Sequence, residues 1–161
     1  MEKLAFSQIM ERSILDTLQQ LSSQSSPAAE KVFTYFIRFE TELAALIERA
    51  AARPMAYPDI DTEKLLADAE WKRVTAELPG IANDDFPDIA IVWTLCSLLE
   101  NSGQYYQQAS LYSSNPQQKI FYKSLAELKW IVRRRADAVN RISYNLIWGE
   151  VGFAPFQLGK E

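Results

Sequence analysis

Four long segments of this sequence repeat apolar residues at the 3.6-residue period of an amphipathic α-helix, and this pattern constrains the fold more than any other feature. The segments cover about residues 4–22, 28–52, 87–112 and 116–148 of the 161-residue chain. Little in the sequence shows the two-residue alternation of a strand. The sequence therefore predicts an all-α fold. The apolar stripe of the second segment consists of Phe33, Phe36, Ile37, Leu43, Ala44 and Ile47.

Residues that start or stop helices stand at the ends of these segments. Pro27 suits the first turn of the second helix, because a proline there has no amide hydrogen to leave unbonded. Pro54 should end that helix, since the residue before a proline is pushed out of the helical conformation. Asn115-Pro116 opens the fourth helix, and Gly149 should close it.

The lengths of the connections predict how the four helices are joined. Short turns link the first helix to the second and the third to the fourth, whereas residues 53–86 form a long crossover with one or two short helices within residues 62–77. This pattern predicts an antiparallel four-helix bundle made of two helical hairpins. We expect a single domain over residues 1–161, with an aromatic tail, residues 149–161, that folds back or contacts a partner.

The composition excludes several kinds of chemistry. The chain has no histidine and one cysteine, Cys96, so it can form no Ser-His-Asp or Cys-His catalytic group, no imidazole zinc site and no internal disulfide. Its 17 basic and 21 acidic residues give a net charge of −4, which argues against nonspecific nucleic-acid binding. The longest apolar stretch, residues 89–99, is too short for a membrane span. We therefore expect a cytoplasmic protein.

The two predicted hairpins share a local pattern, and the second carries a longer one. A Ser-Ser pair precedes a proline and then a phenylalanine in residues 25–33 and again in residues 113–121. The longer pattern consists of Leu99-Glu100, Tyr105-Tyr106-Gln107-Gln108-Ala109, Asn115-Pro116, Phe121 and Leu125-Ala126-Glu127. It resembles half of a rubrerythrin or ferritin-like di-iron protein, best over residues 89–139 and less closely over residues 9–52. The resemblance implies the same bundle and crossover.

The resemblance also implies a metal site from which this chain departs. In that family each hairpin supplies a Glu and then a Glu-x-x-His to the di-iron centre. Here Trp130 follows Glu127 at the position of the histidine. In the first hairpin the aligned pair is Phe39 and Glu42, and a one-residue slip would use Glu40 and Leu43 instead. The resemblance is therefore to a degenerate member that lacks both histidines.

Four glutamates remain as possible metal ligands because each is in helical phase with apolar residues. They are Glu11, Glu40, Glu100 and Glu127, one on each predicted helix. Burying them without a partner would be costly, and two iron or manganese ions could neutralise them. The alternative, which we favour, is that some of them point to the rim of the bundle or pair with basic residues. The available ones are Arg12, Arg38, Lys129, Arg133 and Arg134.

These patterns lead to one functional hypothesis and two alternatives. The first is a ferritin-like bundle without the usual di-iron site and without a cofactor, more a non-enzyme than an enzyme, which acts through protein–protein contacts as a homodimer. The second is an all-carboxylate di-metal oxidase or peroxidase. The third is a carrier of an apolar small ligand, with a pocket lined by Trp93, Trp130 and Tyr105. Both tryptophans and Cys96 are expected in the core.

Overall fold

The structure is a computed structural model that describes residues 3–25, 27–82 and 89–150. Within these ranges the chain forms helices and their connections, with no strand. The helices are α1 (Lys3–Ser23), α2 (Pro27–Ala52), α3 (Thr62–Leu66), α4 (Asp68–Ala82), α5 (Ile89–Leu111) and α6 (Pro116–Glu150). The prediction of an all-α chain is confirmed for the described residues.

The four long predicted helices correspond to α1, α2, α5 and α6, with described ends that differ from the predicted ones by at most two residues. Helices α3 and α4 lie in the predicted crossover, and α6 continues to Glu150, one residue beyond the glycine expected to end it. Residues 151–161, which make up most of the predicted tail, lie outside the described residues, as does Ser26.

At the start of two helices, a side chain just before the helix accepts hydrogen bonds from backbone amides of the first turn. Asn115 Oδ1 accepts hydrogen bonds from the backbone amides of Gln117 and Gln118, at 2.9 and 3.2 Å. Asp61 accepts in the same way from the amide of Lys64, at 3.1 Å. These bonds satisfy amide groups that have no carbonyl partner within the helix. They fix where α6 and α3 begin.

The helices pack as two hairpins with the crossover laid against them. Helix α1 packs along α2 and α5 along α6, while α1 also meets α5. Helices α3 and α4 contact α2 and α6. The apolar core lies between these helices. Its fully buried large apolar side chains are Leu18, Phe33, Tyr35, Phe36, Phe39, Leu43, Ile47, Leu99, Tyr106 and Tyr122.

A polar group at the junction of α3 and α4 ties the crossover to the hairpins. The Leu66 carbonyl accepts hydrogen bonds from Tyr35 Oη of α2 and from Arg135 Nη1 of α6, each at 2.7 Å. Arg38 Nε bonds to Glu70 Oε2 at 2.6 Å. Because one carbonyl receives donors from both hairpins, the crossover has a fixed position on the core.

Two sequence predictions about tryptophans are wrong in detail. Trp93 is 57% exposed rather than buried in the core. Trp130 is only half-buried and lies against Gly103 of α5, where an added Cβ would be 3.3 Å from Cε2 of the indole. Cys96 is half-buried as well, and burial raises the pKa of its thiol to about 11.

None of the helices within the described ranges combines the length and apolar character needed to cross a bilayer.

Replacing the residue that caps α6 tests this account of helix initiation. We expect Asn115→Ala to lower the free energy of unfolding by about 1 kcal/mol, because two amide groups lose their acceptor. Urea denaturation followed by circular dichroism measures the change. Ser114→Ala is the matched control on the preceding exposed residue. An equal loss in both variants would contradict the capping role.

Candidate functional site

A lysine and two glutamates from three different helices meet in the interior of the protein. Lys129 Nζ of α6 lies 2.8 Å from Glu11 Oε2 of α1 and 2.6 Å from Glu40 Oε1 of α2. All three side chains are 0% exposed. One ammonium group therefore joins both helices of the first hairpin to the second hairpin. We refer to Glu11, Glu40 and Lys129 as the buried ionic cluster.

Helical phase places each member of the cluster on the buried face of its helix. Residues three, four or seven apart lie on the same side of a helix, and each member of the cluster has buried neighbours at these spacings. They are Ser7, Ile14 and Leu18 on α1, Phe36 and Leu43 on α2, and Leu125, Val132 and Ala136 on α6.

Aromatic side chains surround the cluster and provide one further polar contact. Tyr106 of α5 donates its hydroxyl hydrogen to Glu11 Oε1 at 2.9 Å, so all four long helices contribute to the site. Its ring stacks on Tyr122, with centroids 6.1 Å apart. The Phe39 ring lies 5.9 Å from Lys129 Nζ. These rings keep water away, and the electrostatic interactions of the cluster are correspondingly strong.

The directions in which the three pKa values shift indicate how charge is distributed among Glu11, Glu40 and Lys129. Burial by itself would raise the pKa of Glu11, but the Lys129 ammonium holds that pKa below its usual value. Burial and the negative charge of Glu11 raise the pKa of Glu40 well above its usual value. Burial disfavours the charged form of Lys129, yet the two carboxyl groups raise its pKa. These directions favour a negative charge on Glu11 and a positive charge on Lys129, and they favour a proton on Glu40.

This arrangement leaves the interior without a net charge, which agrees with the cost of burying one. Oε2 of Glu40 is buried and accepts no hydrogen bond from the described residues. A negative charge on that oxygen would therefore have no donor to stabilise it. The side-chain contact between the two carboxyl groups lowers the pKa of Glu11 and raises that of Glu40, as expected for a single proton held by Glu40.

The structure brings together two of the four predicted metal ligands. Glu11 and Glu40 converge on Lys129, whereas Glu100 Oε2 lies 3.4 Å from Arg133 Nη2 with its side chain 42% exposed. Glu127 is exposed and lies beside Trp130 in a surface groove. Successive helical residues are about 100° apart, so Glu127 lies on the opposite side of α6 from Lys129.

The donor set of the cluster does not fit the di-metal centre that the resemblance implies. Such a centre needs several ionised carboxylates around the ions. Here an ammonium lies between the two that converge, and the raised pKa of Glu40 favours its neutral form. Within the described ranges no three Asp, Glu or Cys side chains are close enough together to hold a metal ion. No catalytic step through a metal follows from these residues.

The sequence contains an indication that Lys129 is buried and central to the site. A lysine at the spacing of Leu125, Val132 and Ala136 interrupts an apolar stripe, which marks a buried charge that needs partners. Lys129 was expected only as one of several possible partners for the glutamates. Nothing in the sequence identifies Glu11, 95 residues away, as the acceptor for the Tyr106 hydroxyl.

Several other basic residues pair with carboxylates around the surface, among them Arg12 with Glu48. Arg133 and Arg135 point to different helices, because Arg133 pairs with Glu100 of α5 whereas Arg135 bonds to Asp68 and to the Tyr35 hydroxyl. The arginine run 133–135 therefore presents no continuous basic surface, since successive helical residues are about 100° apart.

Comparison of the chain with protein-family models, with curated proteins and with solved structures found no match.

Removing the central ammonium should be far more harmful than removing the whole cluster. We expect Lys129→Met to lower the free energy of unfolding by about 3–5 kcal/mol, because it leaves two buried carboxyl groups without a cation. Combining it with Glu11→Met, Glu40→Met and Tyr106→Phe should recover most of this loss. Chemical denaturation measures both. A combined variant no more stable than Lys129→Met would contradict the assigned charges.

Glu40→Gln should change the pH dependence of stability. Above the ordinary glutamate pKa of 4.5 the unfolded chain loses this proton, while the folded protein keeps it until its raised pKa is passed. Unfolding then releases a proton, so the contribution of Glu40 to stability falls as pH rises through this window. We expect a weaker decline for Glu40→Gln above about pH 5, measured by urea denaturation. Glu30→Gln, at an exposed position of the same helix, is the control. A steeper decline in Glu40→Gln would show that Glu40 is ionised.

Proposed function

We propose that this chain is a ferritin-like antiparallel four-helix bundle without a di-iron site, which acts through protein–protein contacts as a homodimer. The observation that carries the proposal is the position of Lys129 between Glu11 and Glu40. In the family that the sequence resembles, metal ions join glutamates of different helices. In this chain an ammonium joins them instead.

The order and packing of the helices support the fold in this proposal. Helices α1 and α2 form one hairpin, α5 and α6 form another, and a crossover with two short helices connects them. This order is one of the connections found in four-helix bundles. The cluster draws one side chain from each of α1, α2 and α6, and Tyr106 adds a fourth from α5. Convergence of all four helices at one buried polar site is also typical of ferritin-like bundles.

The two alternative functions have less support. An all-carboxylate oxidase requires Glu100 and Glu127 near the other two glutamates, and both lie elsewhere. A ligand carrier requires Tyr105 and Trp130 in one pocket, but they line separate surface grooves. The exposed apolar side chains instead favour contacts with another protein. Among the described residues they include Phe6, Ile9, Trp93, Leu111, Tyr112 and Ile120.

Metal analysis of the purified protein tests the proposed function. We expect protein prepared without chelators to hold iron and manganese far below one ion per chain, and to retain none after exposure to Fe²⁺ and desalting. Plasma emission spectrometry measures the content, with a ferritin prepared in parallel as a positive control. We also expect Glu100→Ala and Glu127→Ala to leave the metal content unchanged. Binding of about two ions per chain, lost in these variants, would contradict the proposal and favour the oxidase.

A further inference from the structure

The lysine of the buried ionic cluster lies against two carboxyl groups that bulk water does not reach. Lys129 Nζ is 2.6 Å from Glu40 Oε1 and 2.8 Å from Glu11 Oε2, and all three side chains are 0% exposed. Cδ of Glu40 is one C–O bond from Oε1, so it lies within about 3.9 Å of the lysine nitrogen. An amine nitrogen and a carboxyl carbon are thus held close to the separation from which such atoms react.

Formation of an amide requires a neutral amine and a neutral carboxyl group. The attraction between Lys129 and Glu11 keeps their ion pair as the resting form, whereas burial acts against both of its charges. Transfer of one proton over the 2.8 Å contact turns the pair into an amine and a carboxylic acid. A small population of this neutral form is sufficient, because the reaction needs to occur only once in each chain.

The contacts of the two carboxyl groups give them different roles. Glu11 Oε1 accepts the Tyr106 hydroxyl hydrogen at 2.9 Å, so Oε2, which faces Lys129, is the oxygen that receives the proton. Glu40 Oε2 is buried and has no donor among the described residues, and the raised pKa of Glu40 favours its acid form. A neutral carboxylic acid accepts a nucleophile at its carbon far more readily than a carboxylate does. Glu40 is therefore the electrophile and Glu11 the base.

We propose that Lys129 and Glu40 are a modification site, at which the two side chains condense to an isopeptide bond with Glu11 as the catalytic acid and base. The bond joins α6 to α2 and so connects the two hairpins covalently. This inference goes beyond the proposed function and does not rest on it.

The reaction balances without any co-reactant. Glu11 takes one proton from the ammonium, and the free amine of Lys129 attacks Cδ of neutral Glu40 to form the C–N bond. Glu11 then gives its proton to the Glu40 hydroxyl group and takes a second proton from the nitrogen. The C–O bond breaks and one water molecule leaves. An amide with one N–H and a neutral Glu11 remain, so the total charge is zero before and after.

The surroundings of the cluster favour the product. The amide is neutral, so its formation removes the cost of keeping an ion pair away from water. The Phe39 ring, 5.9 Å from Nζ, and the stacked rings of Tyr106 and Tyr122 keep out the water that would hydrolyse the bond. The bond closes a loop between residues 89 positions apart, which restricts the unfolded chain. The ion pairs described above belong to chains that have not yet reacted.

Mass spectrometry of the purified protein tests the bond. We expect the intact chain to be lighter than its sequence by the mass of one water molecule. Trypsin does not cut after an acylated lysine, so digestion should release residues 39–49 joined to residues 124–133. Fragmentation of this product should place the branch at Glu40 and Lys129. The intact mass also gives the fraction of a sample that still carries the ion pairs.

Substitutions separate the roles of the two glutamates. Glu11→Gln keeps both reacting side chains but removes the base, so we expect it to have the full mass of its sequence. Glu40→Gln should lose ammonia in place of water, because nitrogen is then the departing atom. Glu30→Gln, at an exposed position of α2, is the control and should lose water as the natural sequence does. Circular dichroism shows whether each variant is folded.

Three results would overturn the inference. The first is a natural protein that keeps its full mass after prolonged incubation in the folded state, and this result decides the matter even if a variant fails to fold. The second is a loss of water that maps to Glu11 or to residues outside the cluster. The third is a loss of water that persists in folded Glu11→Gln, which would contradict the role of Glu11 as the base.

Discussion

The buried bridge from Lys129 to Glu11 and Glu40 is the constraint on which the other features of the interior depend. A lysine without exposure to water must have partners, since an isolated buried charge is far more costly than a paired one. The two carboxyl groups supply these partners from different helices. The raised pKa of Glu40 favours a proton on that group, which would make the total charge zero. The register of α1, α2 and α6 must therefore be one in which the three groups meet.

The same bridge accounts for the separation between the interior and the surface of this protein. Because its ammonium lies between the two converging carboxyl groups, the buried polar groups of the centre bond to one another. Exposed apolar residues lie instead on the outer face of α1 and α5. The interior thus stabilises the arrangement of the helices, and the outer face carries the features expected of a contact surface.

Much of the fold could be predicted from the sequence, whereas only part of the candidate site could be predicted. The long helices follow from local periodicity and from residues such as Pro27 and Asn115, and the structure has them within a few residues of the predicted ends. Helical phase correctly placed Glu11 and Glu40 on buried faces. It failed for Glu127 and Trp93, because a stripe of mixed residues leaves the direction of the core uncertain by about one residue, or about 100°.

The sequence by itself determined the helices, the long crossover and the absence of histidine chemistry, because these depend on residue type and on neighbours a few positions away. Only the tertiary structure decided which charges pair. Lys129 and Glu11 are 118 residues apart, and Lys129 and Glu40 are 89 apart. Which basic side chain meets a buried glutamate depends on how the helices rotate and approach one another. That rotation is set by packing of the whole core, which no local pattern contains.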